Sequence, residues 1–247
     1  MEKIGIIGGI GWPSTIEYYR LICEASQHYH NDQEFSGPIP IPEIAIESLN
    51  MNFTVNNRGS SKPGSWETWD AYFKSAISRL ENSGAELILL ASVTPHARLN
   101  ELSEGAGVPI ISIYESIGTY CNKNGIKNLL VLGTMPTMTS SAFKYGVEKF
   151  GIKVIYPPKN ELKVSVLKVI EELYQNKTKG ASSAINEIVH SCLLENQLNT
   201  TTVCLACTEL PLAFRNFDGK STFNYCGVKY LNTSALHAWS AFEACLH

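Results

Sequence analysis

The chain has 247 residues, 44% of them hydrophobic and 17% charged, with a formal net charge of -3. That composition excludes a disordered tail and a disulfide miniprotein. A length at the upper end of the roughly 50 to 250 residues of a domain allows one large unit or two small ones. No basic stripe with interleaved aromatics is present, so no nucleic-acid partner is expected. No stretch approaches the ~18 apolar residues of a membrane span, and the opening Met1-Glu2-Lys3-Ile4 runs straight into a strand without a signal-peptide pattern. The expectation is therefore a cytoplasmic protein with no membrane partner. Seven irregularly spaced cysteines point to reduced thiols, most of them in the core.

Lys3 to Gly8 (KIGIIG) reads as a buried parallel strand ending in a glycine turn. Ser14 to Glu17 fits a capping box opening a helix, with Ile16, Tyr19 and Ile22 or Cys23 at helical spacing. Ile44 to Leu49 reads as a second strand. Met51 to Gly64, rich in Asn, Ser and Gly, reads as a loop long enough to serve as a lid. Trp69, Phe73, Ala76, Ile77 and Leu80 then mark one helix face, closed by Gly84, and Glu86 to Ala91 is another buried strand.

The same order recurs after residue 125. KNLLVLG from Lys127 matches KIGIIG, and Thr139-Ser140-Ser141 is placed to start a helix. ELILLASVTPH from Glu86 mirrors TTVCLACTELP from Thr201. The fold class expected is α/β, with two similar lobes, each a parallel β-sheet flanked by helices, related by pseudo-two-fold symmetry. The first lobe is expected to comprise residues 1–115 plus 228–247 and the second 116–227. Ligands of open parallel sheets sit at the carboxyl ends of strands, where Gly8, Ser92, Gly133 and Cys207 lie. The predicted active site is the cleft between the lobes, with Ser92 and Cys207 approaching one ligand from opposite sides.

These motifs resemble the aspartate/glutamate racemase superfamily. IGIIGGIGWPSTIEYYRLI from Ile4 is similar to its opening segment in the broad-specificity aspartate/glutamate branch. ACTELP from Ala206 resembles its second catalytic motif, and LNTSALHA from Leu231 its closing segment. The resemblance implies no pyridoxal phosphate or other cofactor, two cysteines exchanging the α-proton on opposite faces, an acidic amino acid as substrate, and a homodimer. The chain departs from the pattern at the first motif. Ser92-Val93-Thr94-Pro95-His96 keeps the Thr and His, but Ser92 replaces the cysteine and Val93 an asparagine.

Cys207 is the expected principal acid/base group, with its pKa lowered by backbone N–H groups of a helix starting beside it. Ser92 is a far weaker acid and needs help from a base, a water or His96. Thr94, Thr208, Thr134, Ser14, His96 and Glu209 are candidate substrate contacts. Arg58 in the lid and Lys163 near a helix start correspond roughly to the family's carboxylate binders. Cys204 and Cys207 form a C-x-x-C, but strand alternation separates their side chains and no second Cys/His pair accompanies them, so no metal is expected. The glycines Gly5, Gly8, Gly9 and Gly11 depart from a dinucleotide fingerprint. Two alternatives stand beside the racemase: a single-cysteine decarboxylase or isomerase of the same superfamily, and a catalytically silent amino-acid-binding homologue.

Overall fold

The computed structural model describes residues 1–31, 37–60, 62–198, 201–217 and 219–247. The chain divides into two compact units, Met1–Ser112 with His237–His247, and Ile113–Leu236.

The first unit contains β1 (Ile4–Gly8), α1 (Trp12–Asn31), β2 (Ile44–Ser48), α2 (Met51–Asn56), α3 (Glu67–Asn82), β3 (Leu87–Leu90), a 3₁₀ segment (Thr94–Arg98) and α4 (Leu99–Ser103). Its sheet has the order β2-β1-β3, all parallel. β1 and β3 are buried throughout, as expected of strands covered on both faces. The predicted face of α3 is the buried one, with Trp69 stacked on Phe73 at 3.9 Å.

Two expectations fail here. The segment taken as a lid loop begins with α2, because the Asn50 side chain accepts the Phe53 N–H at 3.1 Å and caps the helix. The Trp69 indole N–H, donating to the Thr54 carbonyl at 3.0 Å, ties α2 to α3; Ser61 of the same stretch lies outside the described residues. Helix α1 starts at Trp12, which makes Ser14 a buried first-turn residue rather than the cap. It buries Tyr18, Leu21, Ile22 and Ala25, leaving Ile16 and Tyr19 59% and 49% exposed.

The second unit contains α5 (Ile113–Lys123), β4 (Asn128–Gly133), α6 (Met135–Thr139), α7 (Ser141–Glu148), β5 (Lys153–Ile155), α8 (Asn160–Tyr174), α9 (Ala181–Glu195), β6 (Thr202–Ala206), a 3₁₀ segment (Leu210–Phe217), β7 (Thr222–Tyr225), β8 (Val228–Asn232) and α10 (Thr233–Ala244). Helix α10 passes from this unit into the first after Leu236. The sheet order is β5-β4-β6-β8-β7, parallel except for β7. The β7–β8 hairpin, absent from the sequence reading, turns on Cys226 and Gly227 with φ of 47° and 78°, the backbone a two-residue type I′ turn requires. The hairpin also moves the expected domain limit. Because β8 pairs with both β6 and β7, residues 228–236 belong to the second unit, and the chain returns at His237 instead of 228. Among the described residues, no helix is long and apolar enough to cross a membrane.

Candidate active site

Three of the candidate residues, Ser92, Thr134 and Cys207, follow the carboxyl ends of strands in their units. In the first unit, β1 ends at Gly8 and the chain turns through Gly9, whose φ of 71° suits glycine. A Cβ there would stand 2.1 Å from the Leu49 carbonyl oxygen, so the turn depends on the missing side chain. The Gly9 N–H donates to Thr15 Oγ1 at 2.8 Å. Thr15 therefore fastens this turn, a role that the sequence reading gave to no residue.

Ser92 follows the end of β3 and is partly exposed, with Thr94 opening the 3₁₀ segment behind it. His96, a candidate partner for Ser92 or a substrate carboxylate, is packed in the interior. It is 3% exposed, and its ring meets His237 edge-on at 5.1 Å. Burial, with the second imidazole beside it, pushes its pKa well below the ordinary histidine value, so His96 is neutral near pH 7. His237 is held at both nitrogens. Nε2 lies 2.8 Å from the Ile111 carbonyl oxygen and must carry the proton, which leaves Nδ1 to accept the Tyr18 hydroxyl at 2.9 Å.

Arg58 lies just beyond α2 and is partly buried. Arg98 is engaged by Asp70 and Glu101, with its guanidinium 5.4 Å above the Trp66 ring.

In the second unit, Thr134 follows β4 and Cys207 follows β6. Gly133 sits opposite Ala206 across the ladder, which puts Thr134 and Cys207 side by side one residue further on. Thr134 Oγ1 lies 3.1 Å from Thr137 Oγ1. Cys207 is buried in the cluster formed by α8, α9 and the 3₁₀ segment, whereas Cys204 on the opposite face of β6 is influenced by Cys121 of α5. The C-x-x-C thus points two ways, as strand alternation requires. Among the described residues, no three His, Cys, Asp or Glu side chains gather as a metal site would need.

The thiol's environment reverses one expectation. Cys207 Sγ donates to Glu209 Oε2 at 3.0 Å, and Thr208 Oγ1 donates to the same oxygen at 3.3 Å. Glu209 is 2% exposed. Burial pushes the Cys207 pKa well above that of an ordinary thiol, and the adjacent Glu209 carboxylate pushes it further. The backbone N–H of Glu209 acts in the expected lowering direction, helped by a hydrogen bond from Tyr174, but the two together are outweighed. Cys207 is therefore a protonated thiol at rest. Glu209, expected to contact substrate, is the thiol's partner, and the carboxylate that Thr208 meets is the protein's own. Lys163 lies in the first turn of α8, three helical turns, roughly 16 Å, before Tyr174, the residue of that helix that reaches the thiol. No motif marks Tyr174, which ends an ordinary amphipathic helix.

A family model for Asp/Glu/hydantoin racemases matches residues 7–241. The broad-specificity amino-acid racemase RacX of Bacillus subtilis is 23% identical over 207 residues, covering 84% of this chain and 85% of that protein. The crystal structure of a putative Asp/Glu racemase from Yersinia pestis superposes with a TM-score of 0.79 at 25% identity, and that of an aspartate racemase homologue from Pyrococcus horikoshii OT3 with 0.77 at 29%, each covering 100% of both chains. An aspartate racemase from Picrophilus torridus, 18% identical, shares the fold with a TM-score of 0.73 over 99% of this chain and 94% of its own.

Proposed function

The chain belongs to the Asp/Glu/hydantoin racemase family, and from that membership we propose that it is a cofactor-independent racemase of an acidic amino acid, aspartate or glutamate, with Cys207 as the principal acid/base group. The observation that carries this reading is the buried Cys207–Glu209 pair, Sγ to Oε2 3.0 Å. A protonated thiol is ready to deliver its proton to a planar carbanion at Cα. In the opposite direction, the S–H proton passes to Glu209 Oε2 while sulfur takes the proton from Cα, so each bond broken to hydrogen is matched by one formed. Burial keeps both partners away from water and makes the transfer sensitive to their mutual charge.

Ser92 is proposed as the group serving the other face of the substrate. The neutral state of His96 removes it as a cation for the substrate carboxylate, and Arg58 remains the proposed binder of the distal carboxylate. We also propose a homodimer. Trp12, Ile16 and Tyr19 form an exposed apolar stripe on α1, at 50%, 59% and 49% exposure, of the kind that subunit contacts cover.

A second reading, a single-cysteine decarboxylase, is favoured by the same protonated thiol, which can return one proton to an enediolate from one side. Deuterium exchange separates the two. In D₂O the wild type should wash deuterium into Cα of aspartate or glutamate, and Cys207→Ala should abolish it. Absence of wild-type exchange with both acids would sink the racemase reading, and carbon dioxide release from a substituted malonate would put the decarboxylase in its place.

A further inference from the structure

Three neighbouring strands of the second sheet end side by side on small polar residues. Gly133 of β4 pairs with Ala206 of β6, and Leu205 of β6 with Asn232 of β8. The β4–β6 register puts Thr134 beside Cys207, and the start of α10 lies beside the end of β6, where Thr233 Oγ1 reaches the carbonyl of Leu205, two residues before the thiol.

The residues leading into Ser234 have their polar groups occupied. The Asn232 side chain accepts the Ala235 N–H at 3.1 Å and so caps α10, and Thr233 Oγ1 donates to the Leu205 carbonyl at 2.8 Å. Ser234 differs from both. It is 2% exposed, and among the described residues its Oγ meets no hydrogen-bond partner. Buried hydroxyls are nearly always satisfied, so an unsatisfied one beside a reactive group points to a ligand. Its Cα–Cβ bond tilts toward the amino end of the helix, where the first-turn N–H groups have no acceptor within α10 and the helix dipole favours an anion.

We propose that Ser234 and the first turn of α10 hold the substrate's α-carboxylate. This inference rests on the reading of Cys207 as the acid/base group, because the α-carboxylate is bonded to the carbon whose proton the thiol exchanges. A subsite at the start of α10, beside the end of the thiol's strand, fits that carboxylate better than the distal one. Donors placed there also gain strength as the carboxylate takes on enediolate charge after proton removal.

The test is calorimetric titration of the full-length protein with L-aspartate and with its α-amide, isoasparagine, alongside Cα deuterium exchange. Ser234→Ala should weaken aspartate binding about tenfold or more and slow exchange, with isoasparagine affinity little changed. The ligand-free melting temperature should hold or rise, because an unpaired buried hydroxyl is removed. Ser234→Cys, a weaker donor of similar size, should fall between the two. Unchanged aspartate affinity in both variants would overturn the subsite, as would a lower ligand-free melting temperature with affinity intact, the signature of a structural hydroxyl. Failure of the wild type to bind or exchange either acid would remove the proposed function and this inference together, so the wild-type control tells the two failures apart.

Discussion

Replacing Glu209 by glutamine keeps the size of the side chain and an acceptor oxygen but removes the charge beside the thiol. At the 3.0 Å separation of Sγ and Oε2, a thiolate and a carboxylate repel by about 5.5 kcal/mol at an effective dielectric of ~20, and by about 1.4 kcal/mol at the dielectric of water. Removing that repulsion in Glu209→Gln should lower the Cys207 pKa. The direction follows from the charge: removing a negative neighbour favours the anion. Burial still raises the thiol, so the drop starts from a value well above that of an ordinary cysteine. The assay is the ultraviolet absorbance of thiolate against pH, taken as the difference between each protein and its Cys207→Ala counterpart so that the other cysteines cancel. The alkaline limb of Cα exchange should move to lower pH with it. A Cys207 titration that stays in place, or moves upward, in Glu209→Gln would refute the claim that this carboxylate holds the thiol protonated.

On the proposed second face, Ser92→Cys should accelerate exchange from the slower enantiomer more than from the faster, while Ser92→Ala should cost less than Cys207→Ala; equal effects on both enantiomers would remove the two-faced assignment, as stereochemically resolved exchange would show. The His237 pKa is pushed down to about 4 from 6.5, so its contribution is complete above about pH 6.5 and is lost as pH falls toward 4, about 3 kcal/mol, and His96, also held neutral by burial, acts in the same direction. Denaturant melts at pH 7 and pH 4 should show this loss, and a smaller one in His237→Gln. Gly9→Ala should destabilise by about 2 kcal/mol or more, because its Cβ would lie 2.1 Å from the Leu49 carbonyl oxygen; Gly84→Ala, at a φ of 84° with nothing within 4 Å, should cost only about 1 kcal/mol. Thermal melts of the two variants check the contrast.

Strands β1, β3, β4 and β6 were legible because they are short, mostly apolar and closed by glycine or a small residue, and each lies inside a segment read from sequence. The face of α1 was not, and the reason is geometric. Trp12, Ile16 and Tyr19 form one apolar stripe at helical spacing, and Tyr18, Leu21, Ile22 and Ala25 form another; spacing alone cannot say which of two such stripes meets the sheet. The position of Cys207 was legible from a strand end followed by a polar motif, but its acidity was not. The upward shift comes first from burial in a dry cluster and then from Glu209, two residues on, folding back to 3.0 Å from sulfur, against a smaller lowering by Tyr174, which arrives from a helix more than thirty residues earlier. A local motif records that a carboxylate is near in sequence; only the fold decides whether it faces the ligand, where it would repel an acidic substrate, or the thiol, where it governs the direction in which a proton moves.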